Sequence, residues 1–204
     1  EAPGFFRTFN AVKEVTMPYD RFPGAKILLG AELRSTGEVM GIGASFGEAF
    51  LKAQLAASHR IPKSGGILLS ISDHDKPRLA KPARVLQSLG YTLYATEGTR
   101  RHLKNNGVEC ELVYKIGNQR PDLLDVISDN KIQMAINTVS GQTSARAALL
   151  IRSENLKRNI PTYTTISALE ALVEGLGQWS STVTVAALQD FYPAAGLSGQ
   201  SSAD

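Results

Sequence analysis

A chain of 204 residues, 43% of them apolar, has the material of a soluble globular protein with one ordinary domain and an appendage. No apolar run approaches the roughly 20 residues needed to span a bilayer, which excludes a helical membrane protein. The 22 Lys and Arg against 19 Asp and Glu leave a net +3, and the basic residues are spread along the chain rather than interleaved with aromatics, so the pI near 9.0 does not imply a nucleic-acid partner.

A single cysteine, Cys110, excludes an internal disulfide, and His59, His74 and His102 are too scattered for a structural zinc site, so no metal is expected. The first residue is Glu1, with neither Met nor a basic-then-apolar leader, and this reads as a piece of a longer protein.

In chain order, residues 9–17 alternate (Phe9, Ala11, Lys13, Val15 and Met17 against Asn10, Val12, Glu14 and Thr16), which predicts a strand stopped by Pro18. Turn-rich residues 19–24 and a second strand-like region up to Gly41 carry too little mass for a core of their own. Ser45 then caps a helix over 46–57, in which Phe46, Ala49, Phe50 and Ala53 recur at helical spacing. Residues 1–62 read as the tail of a preceding domain. The stretch 58–65, with Pro62 and Gly65, reads as a linker.

Residues 63–192 form the second unit. Strands at 67–72, 91–95, 111–115, 132–138 and 161–164 alternate with helices at 78–89, 99–106, 121–129, 144–158 and 166–176. Gly90 and Gly107 stand where helix C-terminal caps belong. Such alternation calls for a doubly wound α/β domain, a five-stranded parallel sheet covered by right-handed crossovers, with an N-terminal α+β appendage. Leu188 and Phe191 are expected to pack back on it, and the Ala/Gly/Ser-rich residues 193–204 to be a disordered tail.

Each predicted strand ends in polar or turn residues. Ser72 and Lys76 follow the first, Thr96, Gly98 and Thr99 the second, and Lys115 and Gly117 the third. Asn137, Thr138, Ser140 and Gly141 follow the fourth, and Tyr163, Thr164 and Thr165 the fifth. Lysines supply charge, hydroxyls and an amide supply neutral hydrogen bonds, and glycines admit backbone N–H groups at helix N-termini. The set suits an oxygen-rich anion, most simply a phosphate, at the carboxyl edge where open parallel sheets bind ligands. Taken singly, Ser72, Thr96 and Thr165 read better as helix caps than as ligand groups, but two lysines at the ends of alternate strands are not needed for capping.

Catalytic patterns are poor. Asp73 and Asp75 could supply a carboxylate pair for acid/base work, but they share a loop with His74 and Lys76 and read equally as a solvated turn, and Asp122 and Asp125 fall three apart at a helix start, where negative charge also favours the dipole. There is no glycine-framed nucleophile and no phosphate-loop consensus, and Gly41-Ile42-Gly43 lacks the third glycine of a dinucleotide fingerprint. No catalytic residue is assigned.

The run Arg34-Ser35-Thr36-Gly37-Glu38-Val39-Met40-Gly41, with Lys13-Glu14-Val15 and Arg21-Phe22-Pro23-Gly24 before it and Glu48-Ala49-Phe50 after it, closely resembles the C-terminal part of the large chain of carbamoyl-phosphate synthase. Asp75-Lys76, Ala95-Thr96-Glu97-Gly98-Thr99, Arg120-Pro121, Ile136-Asn137-Thr138 and Ile151-Arg152 continue the resemblance in the family's order, over about residues 9–190.

The resemblance implies that the N-terminal piece is the end of the second ATP-grasp unit and that the second unit is a methylglyoxal-synthase-like regulatory domain. It implies allosteric effectors: a nucleotide such as UMP or IMP, its phosphate held by Lys76, Thr96, Thr99, Lys115, Asn137 and Thr138, and ornithine near Glu14 and Thr164. The parent chain would be an ATP-dependent ligase serving arginine and pyrimidine biosynthesis, using ATP with Mg2+ and K+, partnered by a small glutaminase subunit. This piece would be non-catalytic and without a cofactor of its own. A cytoplasmic location is implied, and Ala187-Leu188-Gln189-Asp190-Phe191, similar to the photosynthetic branch, leaves a plastid open.

Two departures bear on the effector. The family's Asn-Thr-Thr reads Asn137-Thr138-Val139 here, one hydroxyl fewer, and its Glu-Gly-Arg-Pro is replaced around Gly117-Asn118-Gln119-Arg120-Pro121. The alternatives are a stand-alone methylglyoxal-synthase-like enzyme and an oligomerising module. The first lacks the acid its chemistry needs after the third and fourth strands, since an arginine stays protonated and cannot abstract a proton. The second draws on apolar surface that the N-terminal piece would expose without its partner domain, which would favour a homo-oligomer.

Overall fold

The computed structural model describes residues 9–16, 37–138 and 142–179 together with 185 and 187, without the side chains of 142–146. The motif residues Arg34 to Thr36, the loop residues Val139 to Gly141, the expected packing of Leu188 and Phe191 and the tail 193–204 lie outside the described residues.

An antiparallel pair opens the chain, β1 (Asn10–Thr16) and β2 (Gly37–Gly43), with Lys13 opposite Met40 and Glu14 opposite Val39. Helix α1 (Phe46–Ala56) follows, and the Ser45 hydroxyl accepts from the Glu48 N–H at 3.1 Å, as its cap position requires.

Five parallel strands form the second sheet: β3 (Gly65–Ser70), β4 (Tyr91–Thr96), β5 (Glu111–Val113), β6 (Met134–Asn137) and β7 (Thr162–Tyr163), in spatial order β5-β4-β3-β6-β7. The connecting helices are α2 (Ala80–Ser88), α3 (Glu97–Asn105), α4 (Leu123–Ser128) and α5 (Gln142–Lys157), and α6 (Ile166–Gln178) closes the unit. The chain winds outward from β3 through β4 to β5, then returns to place β6 on the other side of β3. That reversal makes the β3–β6 boundary the switch point of the sheet, and its carboxyl end the crevice.

The central strands are hydrophobic on both faces because helices cover both. Ile67, Leu69 and Ile136 face one apolar cluster and Leu68 and Ala135 the other, all fully buried. Gly90 and Gly107 take φ of +88° and +72°, where a Cβ would be strained, and end α2 and α3.

Element boundaries depart from the sequence reading in two places that matter. The helix expected from residue 78 is preceded by a 3-10 turn, Lys76–Arg78, because Pro77 fits only the first turn of a helix. The strand expected over 111–115 stops at Val113, since Tyr114 leaves β4 to bridge Asp122 and exchange backbone hydrogen bonds with Pro121 and Leu123. Lys115 therefore sits in a loop.

Across the 58–65 linker the apolar core is continuous. Phe50 and Leu51 of α1 join Tyr163, Leu169 and Leu172 in one cluster, with the Phe50 and Tyr163 rings 6.2 Å apart. The helices α1 and α6 meet glycine against glycine: a Cβ on Gly47 would land on the Gly175 backbone N, and one on Gly175 would strike the Gly47 carbonyl and the Leu51 side chain. The Glu174 carboxylate accepts from the Gly47 N–H at 3.1 Å, and the Ser45 hydroxyl donates to Gln178 Oε1 at 2.6 Å, which pins the same seam.

Candidate functional site

Six strand-end residues named from the sequence, Lys76, Thr96, Thr99, Lys115, Asn137 and Thr138, line one cleft of about 520 Å³ at the carboxyl edge of β3, β4 and β6. Two of the six spend their hydroxyls on building it. Thr99 accepts from the Ile71 N–H at 3.1 Å, and Thr138 accepts from the Ser72 N–H at 2.8 Å, so the chain leaving β3 is tied to α3 on one side and to β6 on the other. These two N–H groups have left the sheet ladder and need partners where water is excluded.

Thr96 departs from the capping role open to it in the sequence. It occupies the N-cap position of α3 without a side-chain cap hydrogen bond, and its buried hydroxyl donates to Thr99 Oγ1 at 3.1 Å. The first-turn N–H groups of α3 keep their need for an acceptor, and Gly98 and Thr99 line the cleft. Thr165 does cap, accepting from Ala168 N–H at 3.1 Å, and Asp122 and Asp125 form a capping box on α4, which assigns that carboxylate pair to structure. Ser72 donates to the Asp75 carboxylate at 2.8 Å and holds that carboxyl below its usual range, so Asp75 supports the turn.

Three groups are left facing a ligand. Asn137 is 4% exposed, and its Nδ2 is buried without a hydrogen-bond partner among the described residues. A buried amide left unpaired costs about 1–3 kcal/mol, which an acceptor atom in the cleft would relieve. Lys76 lies against the first turn of α3, so close that a Cβ on Gly98 would be 3.0 Å from its Nζ. Lys115 comes in from the loop after β5. Two ammonium groups, a helix N-terminus and an unsatisfied amide donor make an anion site with donors on several sides.

Asp73, read from the sequence as a solvated turn residue, also lines the cleft and is ion-paired with Lys76. The hydrogen bond and charge of Lys76, with a further contribution from Lys115, hold its carboxyl below the ordinary range. The three-residue spacing from Asp73 to Lys76 was the available signal.

Glu14 and Thr164 lie elsewhere. Glu14 on β1 accepts from the buried Gln54 amide at 2.6 Å, and Thr164 is exposed just past β7. They share a neighbour, Tyr163, whose buried hydroxyl has no partner among the described residues and whose phenol is pushed up by burial and then by the Glu14 carboxylate. Gln54 was not singled out in the sequence, because an amide at a buried helix position carries no pattern of its own.

Among the described residues no group of three or more His, Cys, Asp or Glu side chains could hold a metal ion, and no helix is long and apolar enough to cross a membrane.

The model of the MGS-like domain matches residues 78–164. The carbamoyl phosphate synthase large chain of Haemophilus ducreyi is 45% identical over 193 residues, covering 94% of this chain and 18% of that protein. The large chain of Nostoc sp. is 44% identical over 184 residues, covering 90% of this chain and 17% of the relative. The C-terminal section of the Aquifex aeolicus large chain is 40% identical over 188 residues, covering 89% of this chain and 35% of that section. This chain thus spans less than a fifth of the full-length relatives and about a third of the separate C-terminal section. On its five-stranded parallel sheet the chain carries an MGS-like domain, and over most of its length it matches the C-terminal part of carbamoyl phosphate synthase large chains.

Proposed function

We propose that the strand-end cleft holds the phosphate of a nucleotide effector, UMP or IMP being the first to try, and that this piece regulates a glutamine-hydrolysing carbamoyl-phosphate synthase in arginine and pyrimidine biosynthesis. One observation carries the reading: Lys76, Lys115 and the Asn137 amide, which has no partner among the described residues, converge on one cleft at the N-terminus of α3. Catalysis by this piece is disfavoured by the lining. Asp73 is the one carboxylate among the described lining residues, and it is tied to Lys76. A base for proton abstraction needs a free acceptor beside the substrate. The same set does not fit ATP with Mg2+, which calls for carboxylates around the metal, so the parent's ATP chemistry is assigned to the remainder of the large chain.

Effector binding would favour one arrangement of the α/β domain against the synthetase and change its activity by a coupling of about 1–3 kcal/mol. Ornithine would bind separately, where Glu14 offers a carboxylate for an ammonium group and Tyr163 a hydroxyl that has no partner among the described residues, beside Thr164. The rest of the large chain and the small glutaminase subunit are the expected protein partners, in the cytoplasm or a plastid.

Calorimetric titration with UMP and with IMP tests the cleft, using the wild-type chain, Lys76→Ala and Lys115→Ala. Saturable binding of one nucleotide that both substitutions abolish is the expected result. A folded wild-type chain that takes up neither nucleotide would withdraw the assignment.

A further inference from the structure

The cleft carries its own anion. Lys76, 17% exposed at its side chain, is held against Gly98 at the first turn of α3, where the helix N-terminus adds positive potential, and Lys115 approaches from the loop after β5. Such a concentration of positive charge draws in a counter-charge whenever no ligand is bound. Asp73 provides it from the same loop as Lys76, three residues earlier.

Nothing in the turn requires a carboxylate at position 73. The loop is closed by the Asp75 and Lys76 N–H groups donating to the Ser72 carbonyl at 3.1 and 3.2 Å, and by the Ser72 hydroxyl donating to Asp75. Asp75 therefore does the structural work, while the Asp73 side chain is 95% exposed and bonded to one of the two lysines that the cleft would offer a ligand. The hydroxyls of Thr99 and Thr138 are engaged with the backbone N–H groups of Ile71 and Ser72, and neither carries a charge that could balance Lys76.

We propose that Asp73 is an intrinsic competitor for the anion site: its carboxylate occupies the Lys76 ammonium in the free protein and must be displaced by the incoming phosphate, so that it sets the affinity threshold of the cleft and selects for ligands of higher negative charge. This rests on the phosphate reading of the cleft given above. A monoanion offers Lys76 little more than Asp73 already does. A phosphate monoester, carrying close to two negative charges and three acceptor oxygens, gains Lys115, the α3 N–H groups and Asn137 as well. No bond is made or broken, and the exchange replaces one ion pair by another. Asp73 remains ionised far below neutral pH because Lys76 and Lys115 stabilise its charge, so the competition persists across the physiological range.

The experiment is isothermal titration of the wild-type chain, Asp73→Asn and Glu97→Gln with UMP, IMP and inorganic phosphate. Glu97 stands at the start of α3, paired with Arg101, and does not line the cleft, so its neutralisation reports the general effect of one less negative charge nearby. Asp73→Asn is expected to bind phosphate or the nucleotide about two- to five-fold more tightly than wild type, the worth of an exposed ion pair, with Glu97→Gln changing much less. Equal or weaker binding by Asp73→Asn beside a wild-type chain that binds would overturn the competitor and leave the phosphate site standing. An equal gain from Glu97→Gln would also overturn it, by making the effect one of net charge. Absence of binding by all three would sink both readings. The exposed position of Asp73 keeps folding out of the comparison, and thermal unfolding of each variant verifies it.

Discussion

The two ends of this molecule that carry glycines and polar side chains obey opposite rules. At the α1–α6 seam, Gly47 and Gly175 let two backbones touch, and Phe50, Leu51 and Leu172 fill the space around them, so shape decides what is tolerated. At the strand-end cleft, Lys76, Lys115 and Asn137 surround a space left open to a ligand, so charge and hydrogen-bonding capacity decide. A change at the seam should register as lost stability. A change at the cleft should register as altered binding in a protein that melts as before.

Leu172→Ala should make the largest difference, because Leu172 is fully buried where α6 meets the shared core, and a leucine truncation there costs about 2–5 kcal/mol. Urea denaturation measures it, and a loss below 1 kcal/mol would mean that the seam collapses more readily than its packing indicates. Gly47→Ala follows, with a loss of about 1–3 kcal/mol from one methyl pressed into the opposite backbone. A neutral result in the same assay would show that the helices can separate at little cost.

Lys115→Ala probes the other rule. Exposed and outside any regular element, it should shift stability by no more than about 0.5 kcal/mol while removing nucleotide binding. Parallel denaturation and titration would detect the contrary pattern, a fall in stability without a loss of binding.

The smallest effect concerns alkaline pH. Burial pushes the Cys110 thiol up to about 11 from its ordinary value near 9 and raises the Tyr91 phenol as well, each the form of an acid that the fold prefers protonated. Between about pH 9 and 11 the unfolded chain gives up the Cys110 proton while the folded one keeps it, so stability should fall as pH rises through that window and be flat for this group below it. Cys110→Ala should flatten the slope in pH-dependent denaturation. An unchanged slope would assign alkaline weakening to the tyrosines alone.

The sequence made the sheet legible because the central strands are apolar on both faces and Gly90 and Gly107 punctuate the helices between them. It also exposed the lysines of the cleft, since capping does not account for charge at two alternate strand ends. Other features are set by tertiary contact. Thr96 looks like any capping threonine, and only the position of Thr99 shows that its hydroxyl is directed there instead. Asp73 and Asp75 look alike in a string of letters, yet one holds the turn and the other holds Lys76, because Ser72 can reach just one of them. The glycine contact of α1 with α6 spans more than a hundred residues of chain and has no local signature.

The apolar cluster that unites Phe50 and Leu51 with Tyr163 and Leu172, and that takes in Ile61, has a further consequence for the segment over residues 58–65. A protease that severs this segment outside Ile61 and Pro62 cuts the covalent thread and leaves the cluster in place. The β1–β2–α1 portion and the α/β portion would then run as two bands under denaturing conditions and travel as one particle under native ones, held by a clasp that the peptide chain does not supply.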